Sequence, residues 1–195
     1  MTSDTYLQDD EDTQRVAHPR LFATSWDRGM WILNSILVIF LGGITATLLV
    51  SGLYALRENT FCAIIVIAGS LLPALILTVG AAFAPRQYQI TDDSILVRRL
   101  FAKNVKIPLA EVLSLQPVSY KYVFKKSVRI MGSGGGFGIY GDFTSPSLKY
   151  FKAYMTRRDK LVLITTTDKP FVLTPDDMDG FIAAVRKSQN KPRKL

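Results

Sequence analysis

Cysteine and histidine are nearly missing from this sequence of 195 residues, which has one of each, Cys62 and His18. A single cysteine excludes a disulfide framework, and the two together are too few for a Cys/His zinc site. A lone histidine in a polar N-terminal stretch also leaves no Ser-His-Asp or Cys-His arrangement to assemble. Charge is missing over one long interval. Between residues 30 and 84 the only formal charges are Arg57 and Glu58.

What is present is unevenly spread. The chain has 24 Lys+Arg against 16 Asp+Glu, a net charge of +8, yet its mean hydropathy is +0.18. Residues 1–29 hold three basic and six acidic side chains, and residues 85–195 hold 20 basic and 9 acidic ones. A basic chain with positive mean hydropathy has to concentrate its apolar residues somewhere, and here they fall in two runs. Residues 30–56 and 60–84 are each longer than the roughly 20 residues that cross about 30 Å of hydrocarbon. Neither run carries a formal charge.

Two such runs are hard to bury in so short a chain, which argues against a pair of soluble core helices. The first run begins too late and is too long for the apolar region of a signal peptide. The intervening residues 57–59 leave almost no loop, so the expectation is a transmembrane helical hairpin with both termini on one side. Arg15, Arg20, Arg28, Arg86, Arg98, Arg99, Lys103 and Lys106 flank the hairpin on that side, against Arg57 at the turn. The positive-inside rule then places both termini in the cytoplasm. Trp26 and Trp31 suit an inner aromatic belt and Tyr54 an outer one. Gly42, Gly43, Ala46, Ser51 and Gly52 could meet Ala68, Gly69, Ser70 and Ala74, since small residues let helices approach closely. Pro73 predicts a kink, and the neutral Asn34 and Ser70 suit hydrogen bonds between the helices.

Residues 1–29 read as an acidic cytoplasmic tail and residues 189–195 as a basic one. Residues 85–188 read as a single domain of short strands with one final helix. Strands are expected at 86–90, 94–99, 105–108, 112–118, 126–131, 148–155, 161–166 and 170–173, with one helical turn at 109–111. For the final helix Thr174 is the expected N-cap, Pro175 the first helical position, and Asp176 and Asp177 suit its positive end. Met178, Phe181, Ile182 and Val185 form its apolar stripe. The expected architecture is α+β: a two-helix hairpin followed by a small antiparallel barrel or sandwich capped by a C-terminal helix.

A glycine-rich stretch interrupts the strands at residues 132–141. Gly136-x-Gly138-x-x-Gly141 matches a dinucleotide fingerprint in letters only, because another strand follows it instead of a helix. It reads as a wide connection whose glycines permit positive φ. Phe137, Tyr140 and Phe143 lie within or beside it, and Lys121, Lys125, Lys126, Arg129, Lys149 and Lys152 flank it. Apolar loop tips ringed by cations suit anionic lipid headgroups or an acidic protein segment. Nucleic acid is not expected, because the aromatics cluster in a loop instead of interleaving along a strand face. Asp142 is the one carboxylate in the stretch worth testing for chemistry. No catalytic residue, metal ligand or cofactor site is assigned, and the chain is not expected to be an enzyme.

Several of these segments together resemble the bacterial pleckstrin-homology-like domain membrane proteins: residues 129–143, Tyr154-Met155-Thr156, Val172-Leu173-Thr174-Pro175-Asp176-Asp177, and Phe181-Ile182. The resemblance covers about residues 85–188. It implies a seven-stranded, helix-capped barrel behind one or two hydrophobic helices, and a membrane location; together with the two apolar runs, the expected place is the bacterial inner membrane. It implies no catalytic residues and no particular ligand. Two functions are therefore expected in parallel. One is a membrane-anchored cytoplasmic interaction or scaffold module. The other is an accessory subunit of a larger membrane complex, assembling through the hairpin.

Overall fold

The computed structural model describes residues 19–190. The acidic run 9–12, His18 and the tail cations Lys191, Arg193 and Lys194 lie outside the described residues.

Two long helices dominate one end of the molecule. Helix α1 spans Arg28–Ala55 and α2 spans Thr60–Phe83. Asp27 caps α1 by accepting from the Met30 amide, and Asn59 caps α2 by accepting from the amides of Phe61 and Cys62. The polar turn between them folds the pair into an antiparallel hairpin. Helix α2 runs through Pro73, whose ring is buried in the hairpin. The packed side is narrower than the small residues suggest. A Cβ on Gly52 would strike Ile67, whereas Gly42, Gly43 and Gly69 face open space. Ala63, Ser70 and Pro73 line the packed side of α2. The Ser70 hydroxyl turns back to the Ile67 carbonyl of its own helix instead of crossing to α1.

The rest of the chain is a two-sheet sandwich, not a closed barrel. Strands β1 (Arg20–Ala23), β2 (Pro85–Ile90), β3 (Ser94–Arg99) and β4 (Val105–Pro108) form an antiparallel sheet in that order. A 3-10 turn, Leu109–Glu111, leads into β5 (Val112–Val118) and a short helix α3 (Tyr120–Phe124). Then follow β6 (Val128–Gly134), β7 (Ile139–Ser145), β8 (Lys149–Met155), β9 (Leu161–Thr166) and β10 (Phe171–Leu173). The second sheet has the order β5-β9-β10-β8-β7-β6. Strand β10 slots between β8 and β9 and runs parallel to β8, the one parallel pairing among the described residues.

Away from its edge strand β6, the six-stranded sheet is covered on both faces. Between the sheets lie Tyr88, Ile95, Val97, Ile107, Ile164 and Leu173, closed by Phe181 and Val185 of helix α4 (Met178–Gln189). On the opposite face Phe143 and Phe151 pack under Phe124 of α3, and Met30 of α1 joins the same cluster.

The N-cap of α4 is Asp177, which accepts from the Gly180 amide at 2.9 Å, three residues beyond the expected Thr174. Thr174 is occupied elsewhere. Its hydroxyl accepts from the Thr156 amide, and its own amide donates to the Tyr88 hydroxyl. That hydroxyl in turn donates to the Tyr154 carbonyl at 2.7 Å. Burial of Tyr88 inside this network holds its phenol above the ordinary value, against the hydrogen bonds from Thr174.

Candidate interaction surface at the foot of the hairpin

Both feet of the hairpin are fastened to the sandwich. Before α1, residues 20–23 pair with β2 in register from Arg20–Ile90 to Ala23–Gln87. The Thr24 hydroxyl donates to the Thr174 carbonyl at 2.8 Å, and the Thr156 hydroxyl donates to the Ser25 carbonyl at 2.9 Å. Ser25 donates through both amide and hydroxyl to Asp176, which also receives the Arg157 guanidinium at 2.8 Å. Burial opposes charge on Asp176, but Ser25 and Arg157 outweigh it and hold the carboxyl below its ordinary value. Asp27 does two jobs: one carboxylate oxygen caps α1 and the other accepts from the Arg158 amide at 2.8 Å.

The foot of α2 is held through its carbonyls. The last four carbonyls of a helix have no partner within it. Here Gly80 O receives the Tyr140 hydroxyl at 2.9 Å, and Ala82 O receives the amides of Phe101 and Ala102. The Arg99 guanidinium lies 5.5 Å from the Phe83 ring centre, a cation–π contact.

The glycine-rich stretch is mostly strand. Residues 128–134 and 139–145 pair as the β6–β7 hairpin, in place of the open connection expected, and only residues 135–138 form its turn. Gly132 and Gly141 lie opposite each other with positive φ, and a Cβ on either would fall about 2 Å from the facing carbonyl oxygen. The close pairing therefore requires glycine at both positions. The tip of this hairpin enters the notch between α1 and α2. Phe137 N donates to Asn34 Oδ1 at 2.6 Å, and Trp26 Nε1 donates to the Phe137 carbonyl at 3.3 Å. The Phe137 ring packs on Gly80, where a Cβ would come within 2.8 Å of it. Asn34 thus bonds the sandwich and not α2. It is 2% exposed, and its Nδ2 has no hydrogen-bond partner among the described residues.

The order of contacts along α1 places the strands by depth. The residues just before the helix meet Thr156 and Thr174 at the ends of β8 and β10. Asn34 meets Phe137 just before β7, and Leu33 and Leu37 meet Gly135 and Gly136 just after β6. Edge strand β6 is therefore the strand set farthest along the helical hairpin. A bulge between Arg129 and Met131 breaks its alternation. Val128, Ile130 and Met131 all stand 58–70% exposed on it. Between β6 and α2 runs a groove of about 440 Å³, lined by Leu37, Leu75, Ile76, Val79, Ser133 and Arg129 among others.

The eight residues singled out from the sequence fall into separate places. Arg129, Phe137 and Tyr140 line the groove. Phe143 is buried in the core, stacked on Phe151 with ring centres 5.7 Å apart. Lys125 follows α3, and Lys126, with φ 55°, leads towards β6 at the far end from the helices. That end is about 20 Å from the tip at 3.3 Å per strand residue. Lys149 also lies there, paired with Ser145. Lys152 sits on β8, 3.5 Å from Asp142. Asp142 accepts from the Tyr150 hydroxyl at 2.7 Å, which pushes that phenol up to about 12. The carboxylate is thus engaged by Tyr150 and Lys152. Among the described residues no group of three His, Cys, Asp or Glu could hold a metal ion.

Thr24, Ser25, Asp27, Asn34 and Gly80 carry much of this junction and were not assigned to it from sequence. An Asp just ahead of an apolar run is a legible N-cap signal. The rest depend on partners 60 or more residues away.

Comparison with curated proteins and with solved structures finds no match. Comparison with family models matches the bacterial PH domain over residues 86–189, which begins within β2 and ends with α4. With more than half of its length matched, and with the sandwich and closing helix of that fold in place, the chain belongs to the bacterial PH domain family.

Proposed function

We propose that this chain is a non-catalytic, membrane-anchored interaction module. Its helical hairpin spans the bacterial inner membrane, and its PH-like domain is held against the cytoplasmic leaflet with both termini inside. The observation that carries this reading is the hairpin itself. Its two apolar windows have mean hydropathies of 2.3 and 2.6, and only 6% and 17% of them are buried by the rest of the chain. Core helices of a soluble protein would be mostly covered. Exposed apolar surface on this scale needs hydrocarbon around it.

Length supports the same placement. Roughly 20 helical residues cross about 30 Å of hydrocarbon. Counted from the turn at 57–59, that stretch ends near Ile36 on α1 and Val79 on α2, level with the β6–β7 tip. Strand β6 would then run along the leaflet surface. Its exposed apolar side chains, with Arg129 and the preceding Lys125 and Lys126, meet anionic headgroups there.

A reporter fused after Leu195 reads cytoplasmic, and carbonate washing leaves the chain in the membrane pellet. A periplasmic reading or release into the wash would overturn the placement. For the leaflet contact, trypsin cleavage after Lys125 and Lys126 is severalfold slower in vesicles containing phosphatidylglycerol than in detergent, and equal rates would overturn it.

A second reading, an accessory subunit within a larger membrane complex, is favoured by one observation. Gly42, Gly43 and Gly69 face away from the hairpin's own interface, where another helix could approach closely.

A further inference from the structure

We propose that the groove between β6 and α2 binds one anionic phospholipid, with its phosphate against Arg129 and its acyl chain along Leu75, Ile76 and Val79. The inference rests on the membrane placement above and assigns the site that such a placement creates.

The Arg129 side chain stands exposed on β6 and makes no ion pair and no hydrogen bond among the described residues, so its guanidinium is open to a ligand. Its side chain runs back along β6 towards the helices. Nη1 lies 3.3 Å from where a Cβ on Gly134 would stand, so glycine at that position leaves its path clear. The guanidinium thereby shares a groove with Leu37, Leu75, Ile76 and Val79, at the level where the hydrocarbon is expected to end. An accessible guanidinium beside apolar helix faces matches a ligand that carries an anion and hydrocarbon together. A phospholipid supplies both, and Arg suits phosphate through its paired N–H donors.

Two further features fit the same occupant. The groove is continuous with the exposed faces of α2, so a chain lying in it stays in contact with bulk lipid. On its open side Ile130 and Met131 extend the apolar surface along β6. In water an exposed apolar edge strand is an aggregation hazard, and a bilayer surface removes that exposure.

The test uses the full chain purified in mild detergent and offered phosphatidylglycerol or phosphatidylcholine, with retained lipid counted by native mass spectrometry. Wild type is expected to retain one phosphatidylglycerol, about fivefold over phosphatidylcholine, the preference one cation gives at such a surface. Arg129→Gln brings the two to parity. Val79→Trp, which fills the groove, loses both. Lys187→Gln on α4 removes the same charge elsewhere and keeps the preference. Unchanged preference in Arg129→Gln would overturn the site, as would binding of glycerol phosphate as readily as lipid. A detergent-stable dimer that Met131→Asp converts to monomer, with lipid retention unaltered, would assign the β6 edge to a second copy instead and also overturn it. Release of the chain by carbonate would instead fail the membrane placement, so the two failures are distinguishable.

Discussion

Single residues at the junction hold opposite partners at once, so their substitution acts on two elements. Asp176 is the clearest case. It receives Ser25 from the segment before α1 and Arg157 from the sandwich. Its carboxyl titrates below the ordinary 3.8 in the folded chain. A depressed folded value means that its contribution is complete above about pH 4 and is lost as pH falls below that. The melting temperature in detergent should therefore fall on acidification below pH 4, and Asp176→Asn should flatten that part of the profile. Tyr88 tests the buried network. Tyr88→Phe strands the Thr174 amide and the Tyr154 carbonyl, and a loss of about 1–3 kcal/mol is expected in denaturant titration. Gly80 tests fit: Gly80→Val drives a side chain into the Phe137 ring and should cost about 1–3 kcal/mol as overpacking.

At the scale of elements, Asp27 links helix and sandwich. Asp27→Ala removes both the cap on α1 and the acceptor for the Arg158 amide. It should destabilise by about 0.5–2 kcal/mol. Faster limited proteolysis at residues 24–27 would show the foot loosening, and an unchanged rate would show that the cap alone was lost. Elements with a strong local signal were legible in the sequence. The two apolar runs became α1 and α2, the alternating stretch at 94–99 became β3, and the apolar stretch at 161–166 became β9. Elements whose identity depends on a distant partner were not. Arg20-Leu21-Phe22-Ala23 is too short and mixed to read as a strand, and it becomes one because β2 lies beside it across the whole hairpin. The glycines of β6 and β7 depress strand propensity locally, yet the two backbones approach closely because those glycines face each other. The candidate surface divides the same way. Cations and aromatics were visible as a cluster in sequence, but the sheet separates Phe143 into the core and Lys149 to the far end, and only the fold brings Arg129 to α2.

For the whole molecule, the separation of charge matches the proposed orientation. The C-terminal part is strongly basic, the hairpin neutral. If β6 meets anionic headgroups, the protection of Lys125 and Lys126 from trypsin should weaken as salt rises from 0.05 to about 0.5 M, because screening shortens the reach of each cation. Protection that ignores salt would point to a protein cover. Gly42→Leu with Gly43→Leu should leave the hairpin's own stability within about 0.5 kcal/mol, since both positions face open space. Loss of co-purifying proteins in that variant would favour assembly through the hairpin.

The chain enters and leaves the hairpin through the same small sandwich, with β1 and β2 zipped together at the threshold. Such a doorway allows little swivel. A force that tilts the two helices sideways has no loose joint in which to dissipate, so it must turn the two sheets by the same angle, as a handle turns a key.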